Sequence, residues 1–168
     1  MNEWYNGEGD KMNNMYERLN QFLWSHPTYK KVVGFLTIAL KYIMMASYVM
    51  LLIGFYMTND DYLIYAIIKP CAAFLIVTVI RKLINQSRPY DYLEVTPLFE
   101  HREGCSFPSR HAASAFIIAF TAIHFDLYIG IVMLIFAFLT AITRVLSGLH
   151  HISDVTAGMV LSLIIELL

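Results

Sequence analysis

His150 and Asp154 lie four residues apart, a spacing that on a helix would bring an imidazole and a carboxylate onto one face. A carboxylate bonded to one ring nitrogen fixes the tautomer and leaves the other nitrogen free as a nucleophile or base. Upstream, Pro108-Ser109-Arg110-His111 opens an apolar run. Proline suits a first helical turn, whose unpaired N–H groups attract phosphate. Ser109 and Arg110 would add donors there, and His111 is close enough to give or take a proton. Arg81, Lys82, Arg88, Arg102 and Arg144, with His101 and His151, fall in the same two polar stretches. Arginine and histidine gathered in this way read as an anion site with acid/base capability. Each piece also has a plainer reading: Ser109 as a helix cap, His111 as an interfacial histidine, and His150–Asp154 as a polar pair at a helix start. His151, three residues from Asp154, is the rival to His150 and reads as a supporting or interfacial residue.

These residues sit at the ends of apolar segments. The 168-residue chain is 58% hydrophobic and 15% charged, whereas a soluble domain runs nearer 45–50% and about 25%. Eight charged residues fall in 1–31 and nine in 81–110, leaving eight for everything else. That distribution describes an integral membrane protein. A net charge of −1 excludes a nucleic-acid binder. The same composition excludes a disordered chain and a disulfide-stapled secreted module, and two cysteines without metal-type spacing say little about redox compartment. Cys71, in an apolar run, reads as a small buried hydrophobe. The first thirty residues lack a continuous apolar stretch, so no cleavable signal peptide is expected.

Met12–Ser25 places Met15, Tyr16, Leu19, Phe22 and Leu23 at helical spacing, which predicts a short amphipathic helix at the membrane interface. Val32–Met57 and Tyr62–Ile80 read as the first two membrane segments. They are interrupted by Lys41 and Lys69, each costly in a bilayer unless it snorkels, pairs with another helix or serves function. Pro70 predicts a kink. Further helices are expected from Pro108 to about Phe125, over Leu127–Thr143, and from near Asp154 to Leu168. The last is only about 22 Å long. The fold expected is all-α, a polytopic bundle of about five transmembrane helices with an N-terminal interfacial helix. It divides into a segment over 1–31 and a membrane domain over 32–168. The polar connections, Arg81–Pro108 and Arg144–Ser153, are separated by two spans and therefore return to one face.

Taken together, these residues resemble the type 2 phosphatidic acid phosphatase (PAP2) superfamily, whose motifs are written KxxxxxxRP, PSGH and SRxxxxxHxxxD. Here they read Arg81-Lys-Leu-Ile-Asn-Gln-Ser-Arg88-Pro89, Pro108-Ser-Arg-His111, and Thr143-Arg144 followed by His150 and Asp154. Arg81 replaces the leading lysine and keeps its charge and spacing. Arg110 replaces a glycine and adds bulk and charge, and Thr143 replaces a serine. Two spans, rather than the usual three, precede the first motif. The resemblance implies metal-free phosphoryl transfer, with His150 attacking phosphorus to form a phosphohistidine and Asp154 orienting it. His111 would protonate the leaving oxygen and then activate water, while Arg81, Arg88, Ser109, Arg110 and Arg144 hold phosphoryl oxygens. Phosphoryl transfer is mostly positioning and charge stabilisation, for which planar guanidinium forks are suited.

The implied substrate is a lipid phosphate or polyprenyl (di)phosphate, of the phosphatidic acid, phosphatidylglycerol phosphate or polyprenyl diphosphate class, with its tails in membrane lipid. No metal, cofactor or nucleic acid is expected; a second copy of the chain is a further partner the sequence allows. A metal hydrolase built on His111, His150, His151 and Asp154 is disfavoured by six neighbouring Arg or Lys residues that would repel a cation. A non-enzymatic lipid-phosphate-binding or transport protein would need the basic cluster but not the His150–Asp154 pair. A haloperoxidase, which shares the superfamily's site, fits poorly with membrane helices. Sidedness sets two arguments against each other. Lys11, Arg18, Lys30 and Lys31 share the active face, which by charge alone should be cytoplasmic. The resemblance implies a multi-pass cell-membrane protein with an extracytoplasmic site, and that is the expectation adopted.

Overall fold

The computed structural model describes residues 7–99 and 104–168; His101 and Arg102 lie outside the described residues. Every regular element among them is helical, as expected. Helix α1 spans Gly7–Ser25 and α2 Pro27–Met57, parted at His26 because Pro27 holds the residue before it extended. Helix α3, Leu63–Ile84, runs through Pro70 without a break and four residues beyond the expected end. It therefore carries Arg81 and Lys82 in its last turn. The one-turn helix α4, Pro89–Tyr92, interrupts the long connection, and α5 (Arg110–Phe125), α6 (Leu127–Leu146) and α7 (Ile152–Leu167) complete the chain.

The bundle is built around α5, which packs against α2, α3, α6 and α7. Its sequence explains that position. Alanines 112, 113, 115, 119 and 122 are buried, and such small side chains let neighbouring backbones come close. Gly158 of α7 meets this surface so closely that a Cβ there would lie 2.9 Å from the Ser109 carbonyl oxygen. The outer faces of α2, α3 and α6 present large apolar side chains such as Phe35, Met50, Leu75 and Phe138. Among the described residues, three stretches are long and apolar enough to cross a membrane: Pro27–Met57, Leu63–Tyr92 and Leu127–Leu146. Helices α5 and α7 have 16 residues each, or about 24 Å; α5 is enclosed by its neighbours, while α7 leaves Val160, Leu163, Ile164 and Leu167 exposed.

Three local expectations can be compared with the structure. Helix α1 turns Tyr16, Asn20 and Leu23 inward, where they are buried, and leaves Met12, Met15, Leu19 and Phe22 exposed. One face is thus docked on protein while the other keeps the apolar character of an interfacial helix. Lys69 pairs between helices, its Nζ lying 3.3 Å from Glu166 Oε1 and donating to the Glu166 carbonyl at 2.6 Å. Cys71 is not buried: it lies on the exposed side of α3, because an apolar run that crosses lipid has outward as well as inward positions.

Candidate active site

The site forms where the α6–α7 turn meets the start of α5. Helix α7 begins at Ile152, with His151 as its N-cap, so His150 stands outside the helix. The expected helical register for His150 and Asp154 is corrected accordingly. Their contact comes from the cap. Asp154 is the third residue of α7, and its Oδ2 accepts the His151 backbone N–H at 2.9 Å and faces His150 Nδ1 at 3.2 Å. An ionised carboxylate only accepts, so Nδ1 carries the hydrogen and the Nε2 lone pair is free. Ser106 Oγ also donates to Asp154 Oδ2 and lies 3.3 Å from His150 Nδ1. Asp154 and Ser106 are fully buried, and His150 nearly so. Burial pushes the His150 imidazole down to about 4; the Asp154 hydrogen bond opposes that shift and the Arg88 charge adds to it. At neutral pH the ring is uncharged, as a nucleophile must be.

Three buried guanidiniums lie at the same end of the bundle. Arg81, at the end of α3, donates through Nη1 to the carbonyls of Ser106 (3.0 Å) and Pro108 (2.8 Å). Arg88 donates through Nε to Gly104 O (3.1 Å) and through Nη1 to Leu149 O (3.1 Å), linking the two connections. Each therefore shapes the loops with part of its fork and keeps further N–H donors for a ligand. Arg144, in the last turn of α6, has a buried Nε with no hydrogen-bond partner among the described groups. A buried cationic donor left unpaired is costly, and an anion would satisfy it. Lys82, the alternative to Arg81, points outward.

At the start of α5, Ser109 is a fully buried N-cap whose Oγ accepts from Ala112 N at 3.5 Å. The Ser109 N–H donates to the Asp154 carbonyl at 2.9 Å, tying α5 to the first turn of α7. The cap reading of Ser109 is thus realised. Arg110 is exposed and His111 half-buried, and both line a cavity of about 290 Å³ between α2, α3, α5 and α6. His151 points elsewhere: its Nε2 lies 3.3 Å from Tyr92 Oη and its ring stands edge-on to Tyr16.

All eight sequence-derived site residues lie at this one end of the bundle. Two further contributors escaped sequence reading. Ser106 bonds a residue 48 positions away, and Tyr16 receives the Ile152 N–H from 136 positions away at 2.7 Å. Neither belongs to a spacing pattern that could have marked it. Among the described residues, no group of three or more His, Cys, Asp or Glu side chains is arranged to hold a metal ion.

Comparison with known proteins places this geometry in context. The model of the PAP2 superfamily matches residues 61–168. The bacitracin transport permease protein BcrC of Bacillus licheniformis is 34% identical over 107 residues, 63% of this chain and 53% of that protein. The undecaprenyl-diphosphatase BcrC of Bacillus subtilis (strain 168) is 28% identical over 126 residues, 73% of this chain and 65% of that protein. The chain thus spans less than two thirds of the length of these relatives. Among solved structures, Aquifex aeolicus LpxE aligns with a TM-score of 0.74 at 25% identity, covering 92% of this chain and 91% of its own. The transmembrane PAP2-type phosphatidylglycerolphosphate phosphatase of B. subtilis aligns with a TM-score of 0.75 over 98% of this chain and 85% of its own; at 19% identity it supports the fold alone.

Proposed function

This chain belongs to the PAP2 superfamily, and from that premise we propose that it is a metal-independent lipid phosphatase working through a phosphohistidine. The observation that carries the proposal is that the buried His150–Asp154 pair and the unpartnered Nε of Arg144 lie at the same end of the bundle. It supplies a neutral nucleophile and an unsatisfied cationic donor. In this reading His150 Nε2 attacks phosphorus, Asp154 holds the Nδ1 hydrogen and stabilises the charged ring, and Ser106 steadies the carboxylate. His111 gives its proton to the departing oxygen, then takes one from the water that releases phosphate. Arg81, Arg88, Ser109, Arg110 and Arg144 hold the phosphoryl oxygens, where preorganised donors stabilise developing charge. Residues 32–168 form the phosphatase domain, and the N-terminal segment braces it.

The substrate keeps its tails in the bilayer and offers its headgroup at the mouth of the bundle, in a multi-pass cell-membrane protein whose site faces away from the cytosol. The test is phosphate release from phosphatidic acid, phosphatidylglycerol phosphate and a polyprenyl diphosphate in detergent micelles, with and without EDTA. Turnover of at least one, undiminished by EDTA and abolished in His150→Ala, is the expected result. Binding without turnover would instead support a lipid-phosphate-binding or transport protein, and loss of turnover with EDTA a metal hydrolase.

A further inference from the structure

The two lysines set in apolar helices have different surroundings. Lys69 is ion-paired with Glu166. Lys41 has no carboxylate within ion-pair reach among the described residues; its Nζ lies 5.0 Å from the Tyr42 ring centroid. With Arg110 and His111 it lines the cavity between α2, α3, α5 and α6, whose lining is otherwise mostly apolar, with Met44, Phe74 and Ile118. Arg110 likewise has no ion pair among the described residues. The depth of Lys41 follows from Thr37, one turn earlier on α2, whose Oγ1 lies 3.1 Å from Ser147 Oγ in the α6–α7 turn. Lys41 is therefore about 6 Å inward of that turn. Two exposed cations thus line one cavity with His111, and Lys41 is the one set further along α2 from the α6–α7 turn.

A single phosphoryl group is held by the buried set and Arg110, and nothing in a monophosphate ester would answer the Lys41 charge placed further along its chain. We propose that Lys41, with Arg110 shared between the two phosphates, forms a second phosphate subsite, which holds the chain-linked phosphate of a lipid diphosphate and makes diphosphates the preferred substrates. The inference rests on the phosphatase reading above and extends it. In the first step the bond from His150 Nε2 to the terminal phosphorus forms. The bond from that phosphorus to the bridging oxygen breaks, and its electron pair stays on the oxygen, which takes a proton from His111. The lipid monophosphate leaves along the apolar lining. Water then adds its oxygen to phosphorus, the N–P electron pair returns to His150, and a water proton passes to His111.

The test compares kcat/KM for an isoprenyl diphosphate and the monophosphate of the same chain. Lys41→Met is expected to lower the diphosphate value about tenfold or more, the worth of one charge-assisted contact, and to shrink the diphosphate-to-monophosphate ratio. Lys41→Arg should restore that ratio. An equal fall on both substrates, or a ratio that does not move, overturns the subsite and leaves the phosphatase reading standing. So does a wild-type protein that hydrolyses only the monophosphate. A wild-type protein inert towards every lipid phosphate overturns the phosphatase reading and the subsite with it. Inhibition of the wild-type protein gives an arm that needs no variant. An alkyl methylenediphosphonate should inhibit at lower concentration than the alkyl phosphonate of equal chain length, and equal potency counts against the subsite.

Discussion

The Tyr16 hydroxyl accepts the backbone N–H of Ile152 at 2.7 Å, joining the first helix to the turn that carries His150 and His151. Asn20 adds a reciprocal pair to the Thr96 backbone, donating from its amide at 2.8 Å and accepting at 2.9 Å. The N-terminal helix is therefore a brace across both connections. Tyr16→Phe leaves the Ile152 N–H, one of the orphan donors of α7, without its partner at a loss of about 1 kcal/mol. Turnover should fall several-fold with little change in KM, and Asn20→Ala should act in the same direction. Wild-type kinetics in both variants would show the helix to be a passive anchor.

His150→Ala and Asp154→Asn are expected to lower turnover by orders of magnitude without unfolding the protein, and His111→Ala likewise. His151→Ala should do much less, because its ring faces Tyr92 and Tyr16. Ser106→Ala should fall between these groups, since Asp154 keeps its bonds to His150 and the His151 N–H. Rapid quenching during single turnover should trap an acid-labile phosphoenzyme. Equal losses at positions 150 and 151, or no trapped species, would refute the assignment of the nucleophile.

The His150 ring is held at about 4, chiefly by burial. Protonation removes the Nε2 lone pair, so nucleophilic competence is present above that value and lost as pH falls through it. The ordinary imidazole value is near 6.5. Ring NMR signals of His150 in the substrate-free protein should therefore report the neutral form throughout pH 5.5–8. A midpoint near 6.5 would mean that the site is open to water and that burial does not set the charge state.

Gly158→Ala probes the approach of α7 to α5. The added Cβ would stand 2.9 Å from Ser109 O and 3.1 Å from Ala113 N, backbone atoms that cannot swing aside. Overpacking of this kind is worth about 1–3 kcal/mol. Because Ser109 N–H also bonds the Asp154 carbonyl, the same shift should reach the catalytic pair. Thermal stability and turnover are expected to fall together. Lowered stability with full turnover would separate the helix crossing from the chemistry.

Cys105, part-exposed beside Asn85, reports which side the site faces. Cys71 is exposed on α3 and could compete, so the label should be read in a Cys71→Ala background. A membrane-impermeant maleimide is expected to modify Cys105 in intact cells. Labelling only after the membrane is opened would place the site on the cytoplasmic side, in line with the charges of the N-terminal segment.

The membrane class, the helical segments and the eight candidate site residues were all legible in the sequence. Apolar runs long enough to cross lipid have few alternatives, and the three motifs fall where those runs end. Residues within a motif are close in the chain, so their spacing marked His150 and Asp154 as a pair although not the geometry by which they meet. The tertiary structure decided what spacing cannot encode. It placed His150 outside the helix and made a cap of Asp154. It turned part of Arg81 and Arg88 onto loop carbonyls and left Arg144 Nε without a partner. Ser106 and Tyr16 reached the site across 48 and 136 residues, and Cys71 faced outward where an apolar neighbourhood suggested burial. Hydropathy reports that a segment leaves water, but it does not distinguish lipid from protein as the new surroundings. That choice depends on which faces of α2, α3 and α6 the packing around α5 covers.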